Sequence, residues 1–190
     1  MLEFFPIIVA FVSLFFVWWL ISWIKKQPLG TDKMREVASA IKIGANAFIK
    51  RQYKTIGWIS LLLALALFLV YTFTGDSELG WQTAFAFILG ALSSAIAGIV
   101  GMKMSTTANL RSAAASKSGF NSAMQVAFRG GAITGIIVVA LSLFGISGLF
   151  LFYKFLGYDV VKIPTLIVGY GFGASLVALF AQLGGGIYTK

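Results

Sequence analysis

Few residues in this chain could do chemistry, and most of those are cationic. The stretch "LFAQLGGGIYTK" sets three consecutive glycines, Gly184 to Gly186, shortly before Lys190 and directly behind an apolar run. A lysine ammonium is a compact point charge suited to a phosphate oxygen, and glycines let a ligand or a neighbouring helix come close to the backbone. The stretch is not a phosphate-cradling P-loop, which needs Gly-Lys-Ser/Thr after the glycines and a strand before them. Here Thr189 precedes Lys190, and the preceding run is long enough to be a membrane helix. Spacing alone equally allows a glycine-packed helix end whose lysine reaches for the headgroups.

The other chemical candidates are mostly excluded. Glu3, Asp32, Glu36, Asp76, Glu78 and Asp159 are the only carboxylates, and each lies in a terminus or a connection between apolar runs. The chain therefore cannot by itself build a carboxylate relay inside a membrane. Cysteine and histidine are absent, which removes disulfides, thiol nucleophiles, His-based metal sites and His proton relays. Any chemistry must use carboxylates, lysines, arginines or main chain.

The elements that position these residues are read from hydropathy. With 59% hydrophobic and 11% charged residues and a mean hydropathy of +0.92, the chain is an integral membrane protein. Five apolar runs, at about 2–24, 55–73, 81–102, 126–153 and 163–183, each approach the roughly 20 residues that cross a bilayer as a helix. Strands of a membrane barrel would alternate in polarity over about 10 residues, and nothing here alternates. The predicted fold is an all-α polytopic membrane helix bundle. The first run is too long for a signal-peptide core and lacks a basic region before it, so it reads as an uncleaved anchor.

Charge orients the bundle. The connection from Lys25 to Lys54 holds eight Lys and Arg against Asp32 and Glu36, and that from Lys103 to Arg129 holds four bases and no acid. The intervening connection around Asp76 and Glu78 holds no base, and Lys154 and Lys162 flank Asp159 in the last. By the positive-inside rule the first and third connections are cytoplasmic, which puts the N-terminus outside and Lys190 at the cytoplasmic face. The +9 net charge is thus a matter of topology, since no separate basic domain exists to hold nucleic acid.

Pro28, Gly30, Thr31 and Asp32 mark a turn and a helix start, after which Val37, Ile41, Ala45, Phe48 (with Ile49) and Ile56 recur at helical spacing as an amphipathic face. One long helix from about 33 through 73 is predicted, with 33–54 a cytoplasmic extension and Lys50, Arg51 and Lys54 at the headgroups. Gly90, Ser94 and Gly98, with Ala97 and Gly101, form small-residue rows that let helices pack closely; Gly131 and Gly135 repeat the theme on the fourth span. The Ala- and Ser-rich third connection lacks proline, so helix continuation or a short helical turn is expected on each side of Gly119. Asn109, Arg111 and Arg129 are its notable polar residues.

Four blocks in order, "GANAFIKRQYKTIG" (44–57), "MKMSTTANLRSAAAS" (102–116), "AFRGGAITGIIVVALSLFG" (127–145) and "GYGFGASLVALFAQLGGGIYTK" (169–190), resemble the N-terminal part of the membrane-bound, ion-translocating pyrophosphatases. The resemblance implies a protein of roughly sixteen membrane helices, of which these would be the first five, so that the chain is expected to be a fragment inactive on its own. It implies an acidic run directly after Lys190 that begins the substrate site, with magnesium-bound pyrophosphate, transport of H⁺ or Na⁺, potassium dependence in some members, and a homodimer. Lys190 matches the family lysine that contacts pyrophosphate. Gln182 stands where the family typically has an arginine of the ion pathway, and a glutamine carries no permanent charge to pair with a carboxylate. Ile43 likewise replaces an often acidic residue. Two other readings fit the residues: a fragment of a secondary transporter, where Gly-rich bundles with cytoplasmic bases are common, and a structural membrane protein in which the glycines only pack.

Overall fold

Each polar break in the hydropathy pattern becomes a tight turn between two helices in the computed structural model of the chain, which describes residues 2–75 and 77–188. The helices are α1 (Phe5–Lys25), α2 (Asp32–Phe73), α3 (Ser77–Ala115), α4 (Phe120–Phe155) and α5 (Ile163–Tyr188). All five are long and apolar enough to cross a membrane, and no strand occurs among the described residues. Each connection carries a glycine with positive φ: Gly30, Gly75, Gly119 and Gly157. At φ +120° Gly119 separates the short 3₁₀ turn Ser116–Ser118 from α4, a conformation that a Cβ would strain.

The long second helix forms as its sequence predicts. Thr31 is its N-cap, extended at ψ 163° and accepting a 3.4 Å hydrogen bond from the Met34 amide. Forty-two residues make a rod of about 63 Å, twice the roughly 30 Å of bilayer hydrocarbon. Helices α3 and α4, with 39 and 36 residues, overhang the same end. They exceed the apolar runs 81–102 and 126–153 because hydropathy marks only the lipid-embedded part of a helix. The polar, proline-free segment beyond Met102 keeps its backbone hydrogen bonds in the same ladder.

Successive helices run antiparallel, so α1, α3 and α5 point one way. Helix α3 is the centre, packed on α2, α4 and α5, while α1 lies on the outer side of α4. One end of the α1–α4 pair is tied by Lys154, whose ammonium contacts both Glu3 carboxylate oxygens at 2.6 and 2.7 Å. Its middle is held by Phe11 edge-on to Phe144, and its other end by the Arg129 guanidinium 3.8 Å over the Trp23 ring. Arg129 therefore has an aromatic partner on α1.

Small residues set how close the helices come. A Cβ on Gly90 would collide with the Tyr170 carbonyl, and one on Gly173 with the Phe87 carbonyl, so α3 and α5 meet backbone to backbone. Gly98 is filled by the Tyr53 hydroxyl of α2, and Gly101 lies against Thr134 of α4. The small row on α3 is thus a packing device toward three neighbours. On α4 the expectation differs from the structure: Gly131 and Gly135 are exposed with nothing near, and Gly130, against Ala108, and Gly145, against the Tyr170 ring, make the close approaches. The buried face of α4 runs through Val126, Gly130, Ile133, Ile137 and Ala140, which leaves 131 and 135 on the opposite side.

Candidate functional site at the basic end of helix α5

The placement of the Gly184–Gly186 stretch begins at the far end of α5. There the Asp159 carboxylate accepts from the Val161 amide at 3.0 Å, and the Asp159 carbonyl accepts from Lys162 and Ile163 at 2.9 and 3.2 Å, turning the chain into the helix. The apolar side of α5 then buries Ile163, Leu166, Ile167 and Tyr170 with Ala86, Leu149 and Tyr153. The Tyr170 hydroxyl donates to the Leu141 carbonyl at 2.9 Å, and that of Tyr153 to the Gln82 carbonyl at 3.0 Å. These bonds satisfy hydroxyls that would otherwise be costly in an apolar interior.

At the basic end, α2 takes over. The Gln52 side-chain amide donates to the Phe180 carbonyl at 2.8 Å and lies where a Cβ on Gly184 would be. The first glycine of the triplet is therefore a seat for Gln52, whereas Gly185 and Gly186 have room for a Cβ. Gln52 sits among Lys50, Arg51 and Lys54, all exposed, so α2 delivers one helix clamp and three positive charges to this end of α5. Gln182 is exposed on α5, on a side that α2 and α3 leave uncovered. Lys190 lies outside the described residues.

Between α2, α3, α4 and α5 runs a cavity of about 340 Å³ whose lining includes the hydroxyls of Tyr53, Ser93, Ser94, Thr134, Ser142, Tyr170 and Ser175. Arg111, on the overhang of α3, donates to the Thr107 carbonyl at 3.1 Å and to the Lys25 carbonyl at the end of α1 at 3.3 Å. A cation suits a helix C-terminus. Burial lowers its pKa from the usual arginine value, and the guanidinium still keeps its proton at physiological pH. Asn109 is exposed beside a groove shared with Val37 and Ile41 of α2. Among the described residues no group of three His, Cys, Asp or Glu side chains comes together.

Sequence reasoning located α5 and its glycines but missed Gln52. Its one signal was a polar, uncharged residue between Arg51 and Lys54, less exposed than the bases around it.

The architecture defines a polytopic α-helical membrane protein whose one basic end gathers an overhang of three helices and the ends of the other two. The family model of inorganic H⁺ pyrophosphatase matches residues 11–190, and the chain belongs to that family. Similar curated proteins include a K(+)-insensitive pyrophosphate-energized proton pump of Caldanaerobacter subterraneus, 50% identical over 182 residues (90% of this chain, 26% of that protein). The pyrophosphate-energized membrane proton pump 3 of Arabidopsis thaliana is 39% identical over 98% of this chain and 25% of its own length. A K(+)-stimulated pyrophosphate-energized sodium pump of Thermotoga maritima is 35% identical over 87% and 24%. The chain spans about a quarter of the length of these relatives. Membership favours the pyrophosphatase resemblance over the secondary-transporter and purely structural readings.

Proposed function

We propose that this chain forms the five-helix part of a pump that couples hydrolysis of pyrophosphate to ion transport across the membrane. The observation that carries the reading is the match over residues 11–190, which includes the "GGGIYTK" stretch. In this reading Lys190 contributes a point charge to a phosphate oxygen of pyrophosphate. A magnesium ion bound with the substrate would neutralise charge on the phosphate oxygens; its ligands would belong to parts of the relatives' length that this chain does not span. Helix α5, fixed by α3 and clamped by Gln52, sets where the lysine stands.

The basic end faces the cytoplasm and the N-terminus faces outside. Twelve of the fifteen Lys and Arg residues fall in the first and third connections against two acids, while the opposite connections and the N-terminus hold two bases against four acids. H⁺ is the transported ion favoured here, because identity to relatives named proton pumps, 50% and 39%, exceeds the 35% to the sodium pump. Gln182 lines the ion pathway at a position where only a neutral amide is available, and the working unit is a homodimer. Lys190→Ala in the intact gene product, assayed in membranes with magnesium pyrophosphate, is expected to raise KM at least tenfold, since a hydrogen bond to a charged group is worth about 1.5–3 kcal/mol. Unchanged kinetics would remove Lys190 from the site, and no hydrolysis by the unaltered protein would overturn the reading.

A further inference from the structure

Lys25 at the end of α1, Lys42 on α2 and Lys103 on α3 line one cleft of about 400 Å³. Lys25 and Lys103 directly follow Ile24 and Met102, the last residues of their apolar runs, so the cleft opens at the level of lipid headgroups. Its floor is apolar, with Ile49 and Met104 buried, and Asn46 on its wall offers amide donors. No described residue of α5 lines it, which keeps it apart from that helix and from the pump reading above.

The described ion pairs are Arg35 with Asp32 and Lys154 with Glu3, so none of the three lysines has a carboxylate partner among the described residues. Three like charges around one concavity raise its potential, and low-dielectric walls focus the field on whatever enters. Part of the frame is also fixed in advance: Arg111 bonds the Lys25 carbonyl to the α3 overhang, holding the α1 and α3 segments together and adding positive charge nearby. Such preorganisation lowers the ordering cost of binding.

We propose that this cleft is a binding site for a phosphate group, carried by an anionic phospholipid or free in solution. Ammonium groups suit phosphate as point charges, and the Ile49 and Met104 floor suits the apolar beginning of a lipid tail. The test is a titration of the intact gene product in neutral detergent, read by native mass spectrometry, with phosphatidylglycerol, phosphatidylcholine and inorganic phosphate as separate probes. Each lysine near an anionic surface is worth about fivefold in affinity. The triple variant Lys25→Gln, Lys42→Gln, Lys103→Gln is therefore expected to lose about 100-fold for phosphatidylglycerol or for inorganic phosphate, the affected probe identifying the source. The corresponding triple Arg variant keeps the charge and should retain binding, and Lys117→Gln, outside the cleft, should leave it unchanged. A correctly folded triple Gln variant that binds both phosphate probes as the parent does overturns the proposal. So does a parent that binds phosphatidylcholine as well as phosphatidylglycerol and does not bind inorganic phosphate.

Discussion

Two glycines on α3 meet their neighbours in physically different ways, and substitution should separate them. A Cβ on Gly98 would strike the tip of a side chain, the Tyr53 hydroxyl, with the ring carbon behind it at 3.3 Å. A Cβ on Gly90 would strike the Tyr170 carbonyl, with the carbonyl carbon at 2.7 Å and Cα at 2.9 Å, and backbone cannot swing aside. Alanine in a helix interior is favoured over glycine by about 1 kcal/mol, and overpacking costs about 1–3 kcal/mol. Gly98→Ala should then destabilise by roughly 1 kcal/mol, the balance of these two effects. In a Tyr53→Phe background the collision disappears and the neighbour need yield only a few tenths of an ångström, so the same substitution should be neutral or stabilising by up to about 1 kcal/mol. The coupling between the two sites should be about 1–2 kcal/mol. Gly90→Ala should cost about 3 kcal/mol or more, and no truncation of the Tyr170 side chain should recover it. Equilibrium unfolding of the detergent-solubilised protein in mixed micelles measures all of these. Equal costs at Gly90 and Gly98, with no rescue by Tyr53→Phe, would refute the packing described for α3.

Two further outcomes follow from the hydrogen bonds. Tyr153→Phe deletes the bond to the Gln82 carbonyl and should lower stability by about 1 kcal/mol in the same unfolding measurement; an unchanged protein would mean that the bond contributes nothing net. Gln52→Leu keeps the bulk over Gly184 but removes the donor to the Phe180 carbonyl. If α5 positions a substrate lysine, this variant should raise KM for pyrophosphate in membranes more than it lowers kcat, whereas equal losses would mark Gln52 as important only for folding.

Hydropathy was enough to place five helices, since every apolar run is one, and Thr31 with its helical periodicity announced the long α2. The ends of α3 and α4 were less legible, because outside the lipid a helix needs only an unbroken backbone ladder and no apolar signal. The amphipathic face of α2 was correct in spacing, yet only Ile49 and Ile56 are buried, while Val37 and Ile41 are exposed beside a groove. Periodicity tells which residues share a face but not how far along the rod a neighbour follows. The same limit explains Gly131 and Gly135: small residues four apart announce that a close approach is possible, and only the position of α1 and α3 against α4 decides that Gly130 is the one used. Gln52 was hidden for another reason. A glutamine among bases at a membrane boundary reads as a headgroup residue until the partner carbonyl, 128 positions away, is brought beside it.

The glycine contacts also explain how a residue at the basic end can be placed without a stiff loop. Helices α3 and α5 touch backbone to backbone at Gly90, Gly169 and Gly173, where no side chain can relax to absorb a shift. From Gly173 to Tyr188 is 15 residues, or about 22 Å of helix, so a small tilt at the contact is magnified at the basic end. Gln52 meets α5 near that end, at Phe180 and Gly184, and opposes such a tilt. Two fixed points along one rod define its direction, and the role proposed for Lys190 would require such a fixed direction to bring its charge within hydrogen-bonding range of a phosphate oxygen.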